Sequence, residues 1–341
     1  MAGTEEELAM EVRHHPNGDD DRGSAVIKDL GLSRLGFGAA PLGNEYGDID
    51  GPEMERTVRS AIDSGVTFFD TSPYYGRTVS EARLGAALAG RRDEVVLCTK
   101  AGRYDRSLPD GFDFSPERLR RSVDESLGRL RTDRLDILLL HDIEFSEPAA
   151  ILDGAIPVLH ELKQQGKARA VGVSSYRIDV LLEVLGSAQL DIVLTYCHTD
   201  LIDSSAVDDL VPGAASRGVS VLAASPLHMG LLTPGGGPAW HPALAGARAR
   251  ADALRAAAAE LGLSLTEAAL SFSLGLPHVA STVVGVTSLR ELHHNVAAWR
   301  NPVAPAVIDQ LLDRVADIQV EPWPCGIWPT ASSEALEGGA R

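Results

Sequence analysis

The sequence predicts a single-domain (β/α)8 barrel. Three observations point there: eight short apolar runs recur along the chain, amphipathic helical stretches separate them, and no Gly-x-Gly-x-x-Gly follows the first run. Strand–helix pairs with right-handed crossovers close most simply into a barrel, whereas a doubly wound sheet calls for that glycine fingerprint. The runs are residues 35–39, 66–69, 95–99, 135–140, 168–173, 192–195, 219–223 and 281–284. Apolar and β-branched residues dominate them, as in strands covered on both faces.

Taken in order, residues 1–25 are acidic and polar, with Glu5-Glu6-Glu7 and Asp19-Asp20-Asp21, and read as disordered. The barrel with its C-terminal loop is expected over 26–330, and a flexible tail over 331–341. The second run leads straight into Asp70 and then a loop with Tyr74, Tyr75 and Gly76. The third ends at Lys100 and the fourth at His141. Between these two, Ser115 is placed to cap a helix, Pro116 suits its first turn, and Leu119, Val123, Leu127 and Leu130 share one face. Gly166 and Gly218 stand where helices hand over to the fifth and seventh strands. Residues 231–244, with Gly235-Gly236-Gly237-Pro238 and Trp240-His241-Pro242, are too long for a plain connection and suggest a lid. After the eighth strand, Ser288 and Glu291 have capping-box spacing, so a helix starts there.

Composition narrows the function. The chain of 341 residues has a formal charge of −17 and no basic run, which argues against nucleic acid. Three scattered cysteines suggest a reducing compartment rather than a disulfide frame. No apolar run reaches membrane length and no leader pattern opens the chain, so a cytoplasmic protein is expected. Only Asp70 and His141 have metal-ligand chemistry at strand ends, and His293-His294 are neighbours facing different ways on a late helix, so no metal is expected.

Chemistry in parallel α/β folds sits at the carboxyl ends of the strands. Neighbouring strand ends lie about 5 Å apart, so Asp70, Lys100, His141 and Tyr75 should meet. A lysine kept charged by an acid favours the phenolate of a nearby tyrosine. At about 4 Å and an effective dielectric near 20 that attraction is roughly 4 kcal/mol. One pKa unit is about 1.4 kcal/mol, so Tyr75 is expected to fall from about 10 towards about 7, where it exchanges protons readily.

The residues Asp70-Thr71-Ser72-Pro73-Tyr74-Tyr75-Gly76, Thr99-Lys100, Leu139-Leu140-His141-Asp142 and Gly172-Val173-Ser174 resemble the aldo-keto reductase family. The resemblance covers about residues 25–330. It implies Tyr75 as proton donor or acceptor, tuned by Lys100 and Asp70, with His141 orienting the substrate. It also implies a nicotinamide dinucleotide lying extended across the rim, on Ser174, Ser175, Tyr196, Ser225, Leu227, Gly230, Gly285, Thr287, Glu291 and Asn295. Three positions depart from the family pattern. Ser175 stands where many members carry Asn, Tyr196 where Gln is usual, and Ala224 where many have the tyrosine that stacks on nicotinamide.

A 2′-phosphate calls for added positive charge near the last helix start, and this chain offers Thr287 and Glu291 there, with Arg290 the only basic residue. NAD is therefore expected over NADP. Tyr74, Arg103, Asp142 and His198 are expected to face the substrate, and hydrogen-bonding groups of this kind suit a neutral polyhydroxylated molecule. Within the family the chain is similar to the aldose 1-dehydrogenases, with Gly111-Phe112-Asp113-Phe114-Ser115, His141-Asp142-Ile143-Glu144-Phe145 and Trp323-Pro324-Cys325-Gly326-Ile327 among the shared stretches. The resemblance implies NAD-dependent oxidation of a cyclic aldose, L-galactose or L-fucose-like, at C1 to the lactone. The alternative is an NAD(P)H-dependent carbonyl reductase acting on an intermediate of a specialised pathway.

Overall fold

The computed structural model describes residues 24–47, 49–108 and 110–329. The predicted tail 331–341 and nearly all of the predicted acidic extension lie outside these residues. Ser24 and Ala25, assigned to that extension, are instead part of the fold: Ser24 N–H donates to Ser220 Oγ at 2.7 Å, and Ala25–Leu30 is a helix.

Eight parallel strands close into a barrel in chain order: β1 (Leu35–Gly38), β2 (Phe68–Asp70), β3 (Val96–Ala101), β4 (Leu135–Leu140), β5 (Ala168–Ser174), β6 (Ile192–Tyr196), β7 (Ser220–Ala224) and β8 (Val279–Gly285). β8 pairs back to β1 with Leu35 opposite Thr282. Each predicted run falls on one strand. β2 begins two residues late because Thr67 turns to Ser33: its Oγ1 accepts the Ser33 N–H at 2.8 Å and its own N–H donates to Ser33 Oγ at 2.9 Å.

Helices cover the outside. In Pro116–Leu130 the residues Leu119, Val123 and Leu130 are buried and Leu127 half-buried, as the spacing predicted. Ser115 sits at the cap position, but its side chain makes no capping bond; Asp113 Oδ1 accepts the Ser115 N–H at 2.9 Å instead. Gly166 and Gly218 have φ of 76° and 67°, the left-handed values expected at those handovers. The segment 231–244 starts on buried Leu231 and Leu232 and is held by His241, whose Nε2–H donates to His228 O at 2.8 Å. Its exposed Trp240 reaches Tyr46 in the loop after β1, with ring centroids 6.0 Å apart.

Strand alternation decides what fills the barrel. Phe68 points inward, joining Cys98, Ile137, Leu139, Ile192, Leu194 and Leu222 in one cluster, while Phe69, Leu97, Leu138 and Leu140 pack outward under the helices. Ile27 and Leu30 of the first helix belong to the inner cluster and close the amino-terminal end of the barrel, where Ser24 meets Ser220 and Asp191. Two residues beyond Phe68, Cys98 and Leu139 stand Asp70, Lys100 and His141. The period of two therefore gives all three the inward orientation, at the carboxyl-terminal mouth.

Candidate active site

Lys100 is 2 % exposed, and its ammonium is held by Asp70 Oδ1 at 2.7 Å, Asp70 Oδ2 at 2.6 Å and Thr71 O at 3.0 Å. Tyr75 OH lies 3.3 Å from the same nitrogen. Burial works against the lysine's charge, but Asp70 and then Tyr75 outweigh it and push Lys100 above its ordinary value. The loop that delivers Tyr75 is tightly packed. Gly76 has φ of 62°, and a Cβ there would sit 2.3 Å from Gly43 O, so no side chain fits. Its N–H is anchored on Glu45 Oε1 at 2.9 Å.

The Tyr75 ring meets His141 edge to face, with centroids 5.7 Å apart and an interplanar angle of 86°. Burial, with Lys100 and Arg103 nearby, depresses His141 to about 3 against the pull of Asp142, so the imidazole is neutral at physiological pH. The expected acidification of Tyr75 is corrected here. Burial raises the hydroxyl above its ordinary value, Lys100 pulls it down, and Asp70 and Asp142 push it up again. An ammonium clamped by two carboxylate oxygens presents a dipole rather than a full charge, and that does not repay the cost of burying a phenolate. Tyr75 rests as a phenol.

Beside these four, Arg103 pairs with Asp142 and lies over the Tyr74 ring at 3.9 Å from its centroid. Burial disfavours the Asp142 charge, yet its carboxyl is held below the usual range by His141 and Arg103. Of these two, Arg103 carries the charge near neutrality. Tyr74, Arg103 and Asp142 thus form one wall next to His141, with Asp142 Oδ2 3.7 Å from His141 Nε2. His198 is not part of that wall. It is 3 % exposed, tied through Nδ1 to Asp203 Oδ2 at 3.0 Å, and its ring packs on Tyr176 at 4.5 Å. Trp323 of the C-terminal segment stacks on Tyr176 at 3.8 Å, and the segment is pinned by Ile327 and Trp328 N–H groups donating to Glu144 O at 2.8 and 3.1 Å. Glu144 itself is fully buried; burial and the Asp142 charge push its carboxyl up to about 8. In the sequence Glu144 figures only within a shared stretch, and nothing local marks its contact with a segment so distant in the chain.

Of the residues expected to hold a dinucleotide, some reach the surface of the rim and Ser174, Ser175 and Asn295 are buried. Tyr196, Ser225, Leu227 and Gly230 are half-buried and Gly285 is exposed, so accessible residues form a strip from β6 to β8. Ser174 Oγ donates to Leu140 O and accepts the Asp142 N–H, both at 3.2 Å, which leaves it one lone pair. Ser175 is buried, and its Oγ accepts the Arg177 N–H at 3.0 Å. Tyr196 leans on Tyr176 with centroids 5.6 Å apart. At the strip's far end Ser288 Oγ accepts the Glu291 N–H at 3.3 Å, and Glu291 Oε2 accepts the Thr287 N–H at 2.8 Å. Asn295 is buried one turn further on. A carboxylate the sequence did not reveal, Glu53, accepts the Leu289 N–H at 3.4 Å from a helix 236 positions away.

Among the described residues no helix is long and apolar enough to cross a membrane. The sequence profile described as "Aldo/keto reductase family" matches residues 34–314. The chain is 42 % identical over 309 residues to the L-galactose dehydrogenase of Arabidopsis thaliana, covering 87 % of this chain and 95 % of that one. It is 33 % identical over 230 residues to the D-threo-aldose 1-dehydrogenase of a Pseudomonas species, covering 61 % and 70 %. In structure it is similar to the holo form of aldo-keto reductase AKR11C1 from Bacillus halodurans, with a TM-score of 0.73, 28 % identity and coverage of 88 % and 97 %.

Proposed function

The chain belongs to the aldo/keto reductase family of NAD(P)-dependent oxidoreductases, and from that premise we propose that it oxidises a cyclic aldose, L-galactose or a close relative such as L-fucose, at C1 to the lactone with NAD. The observation that carries the reading is the likeness to L-galactose dehydrogenase along nearly the whole of both chains. The polar wall of Tyr74, Arg103 and Asp142 supports it, since it offers charge-assisted partners to sugar hydroxyls beside His141. When bound, the oxidised nicotinamide supplies the hydride acceptor and a positively charged ring. Tyr75, as the phenolate held by Lys100 with Asp70, takes the proton of the C1 hydroxyl and becomes the phenol, and His141 hydrogen-bonds the same oxygen. Ser174, Ser225, Leu227, Gly230, Thr287 and Asn295 would hold the dinucleotide along the strip. Purified protein given NAD and a panel of aldoses should produce NADH. Brisk reduction of simple aldehydes with no turnover of any sugar would refute this substrate class.

The raised Tyr75 gives the reaction a pH signature. Oxidation needs the phenolate, so kcat/KM for the sugar should climb with pH, by up to about tenfold per unit while the phenol predominates. His141, already neutral well above about 3, adds no acidic limb at pH 5 to 7. A profile flat from about pH 6 to 9 would contradict this role for Tyr75. The same resting phenol is a ready proton donor, which favours carbonyl reduction with NAD(P)H as the second reading; the reductive rate should not rise with pH.

Cofactor choice follows from charge at the last helix start. Glu291 and Glu53 occupy the Thr287 and Leu289 N–H groups with carboxylate oxygens, while Arg290 is exposed. A 2′-phosphate brought there meets like charge and donors already taken. The expected preference for NAD in kcat/KM is at least about tenfold, or 1.4 kcal/mol. Glu291→Gln should narrow it, and a wild-type preference for NADP would overturn the assignment.

A further inference from the structure

A neutral imidazole carries one N–H and one bare nitrogen, and which is which decides whether His141 can donate to a substrate oxygen. His141 Nδ1 lies 3.0 Å from Ser72 Oγ. That same oxygen accepts the Tyr74 N–H at 3.1 Å. Ser72 is fully buried, so its hydroxyl proton must find its acceptor inside the protein. The acceptor in reach is Nδ1. If Nδ1 carried the proton instead, Ser72 Oγ would accept twice and its own proton would be left buried and unpaired. The other side of the ring agrees. Asp142 Oδ2 stands 3.7 Å from Nε2, too far for a hydrogen bond, yet its charge favours an N–H there and disfavours a bare lone pair.

We propose that Ser72 is a positioning residue that fixes His141 as the Nε2–H tautomer, turning its free edge into a hydrogen-bond donor beside Tyr75. The proposal rests on the proposed function for the identity of the oxygen that receives this bond. The strand-to-loop joint Asp70-Thr71-Ser72-Pro73-Tyr74-Tyr75 then has a double duty. It carries the phenol that exchanges the proton, and through Ser72 it sets the proton on the neighbouring ring.

The test is two-bond 1H–15N correlation on protein labelled with 15N-histidine, with His141 assigned by its loss in His141→Gln. The wild type should show the Nε2–H pattern alone at neutral pH; an Nδ1–H pattern, or a mixture, overturns the proposal. In Ser72→Ala the pattern should become mixed, with kcat down roughly 10- to 100-fold and KM for the dinucleotide unchanged. Ser72→Thr, which keeps the hydroxyl, should restore both. A Ser72→Ala protein with a single Nε2–H tautomer and full turnover would also refute the role. The tautomer is read without turnover, so a failed sugar screen leaves this result standing, and a wrong tautomer leaves the sugar reading standing.

Discussion

Tyr75→Phe is expected to lower kcat by about 10²–10⁴-fold, the range for removal of a group that exchanges a proton in the transition state. The protein should stay folded. The Tyr75 hydroxyl has Lys100 as its hydrogen-bond partner, and Lys100 keeps Asp70 and Thr71 O when the hydroxyl is gone, so no buried charge is stranded. Loss of that one contact should cost no more than about 1–2 kcal/mol of stability. Dinucleotide affinity, read by fluorescence titration, should hardly move, because the strip from Tyr196 to Gly285 does not include Tyr75. Unchanged turnover in this variant would mean that Tyr75 is not the group that exchanges the proton.

Lys100→Met should damage both stability and turnover. It leaves Asp70, with 5 % of its side chain exposed, without its partner. Removing one member of a buried ion pair typically costs about 3–5 kcal/mol, since the other charge stays in a poor solvent. Thermal unfolding should therefore shift down by several degrees at least. In Asp70→Asn combined with Lys100→Met the stranded charge disappears, so stability should largely return while turnover does not. If Lys100→Met alone is as stable as the wild type, the pair is not the buried clamp described here. If the double variant turns over normally, neither residue tunes the phenol.

The barrel was legible because its strands are buried on both faces and so are written as apolar runs. Asp70, Lys100 and His141 stood out because each is polar where such a run ends. Tyr75 followed from its distance to Asp70 along one loop. The ends of strands were less legible: Val66 and Thr67 have strand-like chemistry, but Thr67 spends its polar groups on Ser33. Contacts that join distant parts of the chain left no local trace. Glu53 at the start of a helix near position 289, and Glu144 under the C-terminal segment, are of that kind. His198 shares the rim loops with Tyr74, Arg103 and Asp142, yet it packs on Tyr176, on which Trp323 stacks in turn. The electrostatics of Tyr75 failed for a different reason. Lys100 was identified correctly as its neighbour, but the field of a lysine depends on how closely its counter-ion sits, and only coordinates give 2.6 Å.

The short helix Ala25–Leu30 ties the chain's entry into the barrel to the starts of β6 and β7, through Ser24, Ser220 and Asp191. Tyr75 and His141 open at the opposite pole. A solid support, an affinity handle or a fused second enzyme attached ahead of Ser24 would therefore hang from the blind end, leaving traffic of small molecules through the open end unobstructed. Attachment beyond residue 329 would join instead next to Trp323 and Ile327, on the same side of the barrel as Tyr75 and His141.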